Sequence, residues 1–148
     1  MRYRSDEPES ADSDEGDGRA MAVDYGRRHL GIAVSDPLRI IASPLRAVDI
    51  ENPEHGINVV ARLVRELNIT DLVVGLPRCM RGEEGAMAME VREWATRLGA
   101  VCGVPLHLVD ERLTSAEAAR VARSRRRRSR CDDIAAALVL RVFLESLR

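Results

Sequence analysis

Three acidic residues sit where short apolar runs end or helical patterns begin: Asp24 after Met21-Ala22-Val23, Glu111 after Leu106–Val109, and Asp132 ahead of Ile134-Ala135-Ala136. Each belongs to a different predicted element, so the fold can bring them to one edge. Carboxylates gathered in a partly buried site repel one another unless cations join them. Oxygen ligands select Mg²⁺ or Mn²⁺ over zinc. Two such ions held by three acids leave a net positive charge, which suits a phosphodiester and its attacking and leaving oxygens. Acids at strand ends and helix starts also serve as turn and capping residues, so spacing alone does not assign this chemistry. Nor does spacing separate Asp132 from Asp133, since both have alanines three and four residues on. Asp110, beside Glu111, is open in the same way.

Around these acids the pattern is that of alternating strands and helices. Met21–Val23 and Leu30–Val34 are short apolar runs separated by Tyr25-Gly26-Arg27-Arg28, a hairpin signal. Ile40–Val48 reads as a third strand, placed at an edge by Ser43-Pro44. Asn52 as N-cap, Pro53 at the first helical position and Ile57, Val60, Ala61, Val64 and Leu67 at helical spacing predict a helix. Leu72-Val73-Val74 is a buried strand ending in Gly75-Leu76-Pro77. A second helix follows with Met87, Val91, Trp94, Ala95, Leu98 and Val101 on one face, stopped by Gly103 and Pro105. Trp94 belongs to that apolar face and so to the core. After the Leu106–Val109 strand, Thr114-Ser115-Ala116-Glu117 is a capping box opening a third helix. The last helix starts near Asp132 and turns Ala135, Leu138, Val139 and Val142 inward.

The order β-β-β-α-β-α-β-α-α implies an α/β fold. Its five-stranded sheet is mixed, antiparallel over the first three strands and parallel in the later ones, with helices on both faces. Ligands collect beyond the carboxyl ends of the strands of such sheets.

Composition sets the outer limits. The 148 residues carry 23 arginines, no lysine and 24 acids, for a net charge of −1. That length is one domain and a tail. Residues 1–20 hold seven acids against three arginines, net −4, and read as a disordered acidic tail; residues 21–148 form the domain, at +3. If the tail shields the arginine-rich loop Arg123–Arg130, deleting residues 1–20 tightens nucleic-acid binding at low salt. The longest uninterrupted apolar run, Ile134–Leu140, is seven residues, against the ~20 of a membrane span. No apolar stretch follows Arg2 and Arg4, so no signal peptide is read. Cys79, Cys102 and Cys131 form neither a zinc pattern nor a disulfide framework. The expectation is a cytoplasmic protein with no membrane contact.

Four blocks in register resemble the YqgF/RuvX family: Asp24-Tyr25-Gly26-Arg27-Arg28-His29-Leu30-Gly31-Ile32-Ala33-Val34-Ser35-Asp36-Pro37; Gly75-Leu76-Pro77 with Met80 and Gly82; Asp110-Glu111-Arg112-Leu113-Thr114-Ser115; and Asp132-Asp133-Ile134-Ala135-Ala136. The resemblance covers roughly residues 20–146. It implies a ribonuclease H-like fold and metal-dependent phosphodiester cleavage, either of the 5′ end of pre-16S ribosomal RNA or of Holliday junctions. It places the catalytic and metal-holding acids on Asp24, Glu111 and Asp132, the last by alignment on Ala135-Ala136. His29 stands where the family has Arg or Lys, and Cys79 and Arg81 replace its Asn and Asp. Asp24-Tyr25-Gly26 also looks like the phosphate-binding turn of actin-like sugar kinases, but those need two domains around a nucleotide.

Arginines supply the candidate substrate contacts. Six fall within Arg123–Arg130, and Arg125, Arg126, Arg127, Arg128 and Arg130 lead directly to Asp132. An uninterrupted basic run is a phosphate-binding feature. Arg28 on the hairpin turn and Arg112 beside Glu111 complete the set. Arg112 has two readings: a contact to the scissile phosphate, or a bidentate partner orienting the acids. Nothing in the sequence reads bases, so recognition by shape is expected. The partner is then pre-rRNA or branched DNA. A monomer suffices to trim an end, whereas symmetric nicking of a junction needs a homodimer. A nucleic-acid-binding module without catalysis is the third reading.

Overall fold

A computed structural model of the chain describes residues 18–77, 85–111 and 128–147, with backbone alone for 128–133. Strand β1 (Arg19–Tyr25) pairs antiparallel with β2 (His29–Ser35), setting Ala22 opposite Ala33 and Asp24 opposite Gly31. The turn between them depends on Gly26: a Cβ there would stand 2.8 Å from the His29 carbonyl oxygen. Because β1 begins at Arg19 and Ala20 is fully buried, the folded domain starts before the expected boundary at residue 21.

The expected third strand is two short ones. β3 (Ala42–Pro44) and β4 (Val48–Asp49) both pair antiparallel with β2. Pro44, which lacks an N–H, ends β3; the Leu45 amide still donates to the Ile32 carbonyl at 2.8 Å, and regular pairing resumes at Val48. Among the described residues the sheet therefore has six strands rather than five. Before β3, Asp36 Oδ1 accepts from the Ile40 and Ile41 amides, both at 2.8 Å. These backbone donors hold its carboxyl below the usual range.

Helix α1 (Pro53–Glu66) forms as its caps dictate. Asn52 Oδ1 accepts from the His55 amide at 2.8 Å, proline opens the first turn, and Gly56, Ile57, Val60, Ala61 and Val64 face inward. Asn68, in the left-handed region at φ 56°, turns the chain into β5 (Ile69–Leu76). Helix α2 (Ala86–Cys102) ends at Gly103, φ 71°, where a left-handed cap favours glycine. β6 (Leu106–Asp110) follows. β5 lies parallel to both β1 and β6, giving the order β3-β2-β1-β5-β6 with β4 also on β2.

The pleat divides the core in two. Met21, Val23, Ile32, Leu72 and Val74 face α1 and α2, with Trp94 buried among them and its Nε1 donating to the Pro53 carbonyl at 2.9 Å. Ala20, Ala22, Ala33, Val73 and Val109 face helix α3 (Arg128–Ser146). The alanines leave room for that helix to pack close to the sheet. Helices thus cover both faces. The buried stripe of α3 is Ala136, Val139, Leu140, Phe143 and Leu144. The expected stripe of Ala135, Leu138, Val139 and Val142 is rotated from it, because Phe143 and Leu144 bring more apolar area to the sheet than Ala135 and Leu138. The described helix already runs at Arg128, so Asp132 lies a turn inside it rather than at its head. The helix expected from Thr114 lies outside the described residues.

At the far end of the parallel strands, Arg39 takes φ 60°. Its guanidinium donates to Asp71 and Thr70, each at 2.6 Å, and to the Gly18 carbonyl at 3.1 Å. His107 Nε2 lies 3.1 Å from the other Asp71 oxygen.

Candidate nuclease site

The register of three strands builds the site. Val23 pairs with Val74, and Gly75 pairs with Val109. Continued by one residue, the first pairing sets Asp24 beside Gly75. Asp24, Gly75 and Val109 thus form one row across β1, β5 and β6, at the carboxyl ends of all three. Side chains alternate faces along a strand. Asp24 shares its face with Ala20 and Ala22, and Gly75 shares its face with Val73; all belong to the α3 side. Glu111 follows Val109 by two residues and lies on that side as well.

Gly75 has no side chain in the middle of this row, and the Glu111 carboxylate uses the space. A Cβ on Gly75 would meet Glu111 Oε2 at 2.8 Å and Val139 Cγ2 of α3 at 3.0 Å. Asp24 and Glu111 are both half-buried. Asp110 differs: it alternates with Leu106 and Leu108, which pack on the α1–α2 side. The strand therefore places Asp110 and Glu111 on opposite faces, a distinction that adjacency in sequence could not make.

The β1–β2 turn is fastened to α2. Tyr25 Oη donates to Glu90 Oε2 at 2.8 Å, and Arg27 donates through Nε and Nη2, the closest contact being 2.7 Å to Oε1. Burial, then the Glu90 bond, pushes the Tyr25 hydroxyl up to about 12. Arg27's hydrogen bonds, followed by that of Tyr25, hold the Glu90 carboxyl below its usual range. The Tyr25 ring also rests 4.7 Å from that of Trp94. His29 Nδ1 pairs with Asp49 Oδ1 at 2.8 Å, so its contact is with β4. Between the turn and the start of α2 lies a cleft of about 650 Å³ that includes Asp24, Arg28, Ala86 and Met87.

Of the acids and arginines singled out by sequence, Asp24, Glu111 and Arg28 are described with their side chains. Asp132, Arg128 and Arg130 are placed on α3 by backbone. Arg112, Arg125, Arg126 and Arg127 lie outside the described residues, as does Cys79; Cys131 is placed by backbone alone. Among the described residues no three metal-ligating side chains come together. The chemistry of the donors fits a hard divalent ion nonetheless: Asp24 and Glu111 offer only oxygens, and Gly75 leaves the cradle between their strands without a Cβ. Two residues that sequence reading missed shape the site. Gly75 carried a signal, a glycine directly after an apolar strand run. Glu90 carried none, because its partners lie more than 60 residues away.

Among the described residues, the mixed sheet with α1 and α2 on one face and α3 on the other has the ribonuclease H-like fold. The Thermus thermophilus RuvC solved in complex with a Holliday junction has the same fold, at a TM-score of 0.56 and 16% identity over 88% of this chain and 95% of that one. RuvC of that organism, in a second structure, superposes at 0.53 with 16% identity, covering 87% of this chain and 96% of the other. The chain belongs to the RuvX family, described as Holliday junction resolvases, whose model matches residues 18–146. Relatives named "Putative pre-16S rRNA nuclease" include that of Roseiflexus sp., 38% identical over 88% of this chain and 96% of the relative. Another, from Moorella thermoacetica, is 40% identical over 87% and 96%. Family and relatives agree on the class: a nuclease, hydrolysing phosphodiester bonds of nucleic acid. No helix among the described residues is long and apolar enough to cross a membrane.

Proposed function

We propose that the protein is a metal-dependent nuclease that trims the 5′ end of pre-16S ribosomal RNA in the cytoplasm. The observation that carries this reading is the row Asp24–Gly75–Val109. It supports two acids, on β1 and after β6, sharing one sheet face across a glycine that leaves space between them. Asp24, Glu111 and Asp132 would hold two Mg²⁺ or Mn²⁺ ions. When bound, such ions activate water and stabilise the leaving 3′ oxygen. Asp24, at the end of β1, fixes one side of the site. Glu111 reaches over Gly75 to close the other side. Asp132 belongs to α3, the helix that packs on this face. Arg28, Arg112, Arg125, Arg126, Arg127, Arg128 and Arg130 would bind substrate phosphates on either side and set the register of the strand without reading bases.

The family description favours a second reading, Holliday junction resolution, which requires two symmetric nicks and hence a homodimer. One experiment addresses both. The full chain, with Mg²⁺, is given a 5′-extended pre-16S RNA and a four-way DNA junction in parallel, with Asp24→Asn as control for contaminating nucleases. The expected result is trimming of the RNA, abolished by chelation and by Asp24→Asn. Paired nicks in the junction with the RNA intact would move the assignment to the second reading. Binding of both without cleavage, in Mg²⁺ and Mn²⁺ alike, would leave a binding module. Cleavage by Asp24→Asn with unchanged metal dependence would remove Asp24 from the mechanism.

A further inference from the structure

The cleft beside Asp24 has two unlike walls. The β1–β2 turn supplies one and the first turn of α2, Ala86 and Met87, supplies the other. Most polar side chains of the turn already have partners: Tyr25 and Arg27 are bound to Glu90, and His29 to Asp49. Arg28 is exposed, and no described residue accepts a hydrogen bond from its side chain. Since Glu90 pairs with Arg27, Arg28 is, among the described residues, the cation this cleft offers to a ligand. Among the described residues the opposite wall is apolar, with Met87 37% exposed at the helix start.

We propose that this cleft is a subsite for one unpaired nucleotide next to the scissile phosphate, with Arg28 on its phosphate and Ala86–Met87 against its base. The proposal rests on the nuclease reading of Asp24 and adds the substrate feature that the enzyme prefers. A nucleotide has the same two-sided chemistry as the cleft, an anion joined to a flat apolar ring. The volume lies within the ~300–1,000 Å³ typical of small-ligand sites. A base inside a duplex is stacked on its neighbours and cannot offer its face to a wall; only a splayed-out base can. Methionine suits such a wall, being flexible and polarizable against an aromatic ring. Glu90 is the positioning residue. By binding the turn to α2 through Tyr25 and Arg27, it fixes how far apart the two walls stand.

The test uses the full-length Asp24→Asn protein, so that probes stay uncut. Fluorescence anisotropy compares an RNA hairpin bearing an unpaired 5′ extension with the same hairpin, blunt-ended, across a range of salt. The extended probe should bind more tightly. Arg28→Ala should weaken it about tenfold and reduce the slope of log K against log salt by about 0.7, the value of one single-strand phosphate contact. The blunt hairpin should be unaffected. Met87→Ala should weaken the extended probe without changing its slope. Tyr25→Phe, which removes one bond of the clamp and leaves Arg27 paired with Glu90, should weaken the extended probe without changing its salt slope and leave the blunt hairpin unaffected. Equal weakening of both probes by Arg28→Ala, or of neither, overturns the subsite. Failure here with RNA cleavage intact in the unmodified chain would leave the nuclease reading standing. Preference for the extended probe in a chain that cuts nothing would remove the nuclease reading alone.

Discussion

Gly75 decides where the Glu111 carboxylate can go. A methyl group there would lie 2.8 Å from Glu111 Oε2 and 3.0 Å from Val139 Cγ2. The first of these is the far end of a flexible side chain, which can rotate away from a new methyl group. Gly75→Ala should therefore cost stability modestly, roughly 1 kcal/mol from crowding against Val139. It should cut the cleavage rate much more, by about 10²-fold, the usual penalty for misplacing a reacting group by an ångström. Urea unfolding and single-turnover cleavage, measured on one preparation, separate the two effects. A loss of rate no larger than the loss of stability explains would mean that Glu111 is not held by this gap. Asp24 was legible in the sequence because it ends an apolar strand run, whereas Glu111 could not be told from Asp110 by spacing and was chosen by the family resemblance. The function of Gly75 was not legible, because Gly-Leu-Pro reads as the end of a strand. The strand continues through Leu76, which puts the glycine inside the sheet.

Between elements, the Tyr25–Glu90–Arg27 clamp is the contact that joins the hairpin to α2, and it responds to pH at both ends of the scale. Tyr25 keeps its proton to about pH 12 in the fold but loses it near 10 when unfolded. The unfolded state then binds fewer protons between those values, so stability is complete below pH 10 and falls as pH rises toward 12. Glu90 has the opposite sign. Its carboxyl is held low, so its contribution is present above about pH 4.5 and is lost as the solution becomes more acidic. An ultraviolet titration of the tyrosinate band should show Tyr25 ionising near pH 12 and moving toward 10 in Glu90→Gln. No movement would mean that burial alone sets the Tyr25 value. The sequence could not show this pairing, which has no periodicity to betray it. It did show α1 and the stop of α2, where Asn52, Pro53 and Gly103 carry local cap chemistry. Where tertiary packing decides, it was less informative: Pro44 divided one strand into two, and Phe143 with Leu144 turned α3 away from the phase its alanines suggested.

Over the whole molecule, the net charge of −1 conceals a separation. Residues 1–17 hold seven acids and two arginines, net −5, which leaves residues 18–148 at +4. The structure moves the cut that tests this. Gly18 accepts from Arg39, the Arg19 amide bonds to the Asn68 carbonyl at 3.3 Å, and the Ala20 amide donates to Ser35 Oγ at 2.9 Å. Deleting through residue 20 would remove the first rungs of β1, so the expected effect belongs to a chain lacking residues 2–17. That chain should unfold at the same temperature as the full one. It should bind an RNA hairpin on the order of tenfold more tightly at ~50 mM salt and within about twofold at ~1 M, where charges more than about 3 Å apart are screened. A deletion through Ala20 should instead lower the melting temperature. If removal of residues 2–17 leaves low-salt affinity unchanged, the acidic segment does not compete with RNA for the arginines. The domain's affinity would then be set by its +4 alone.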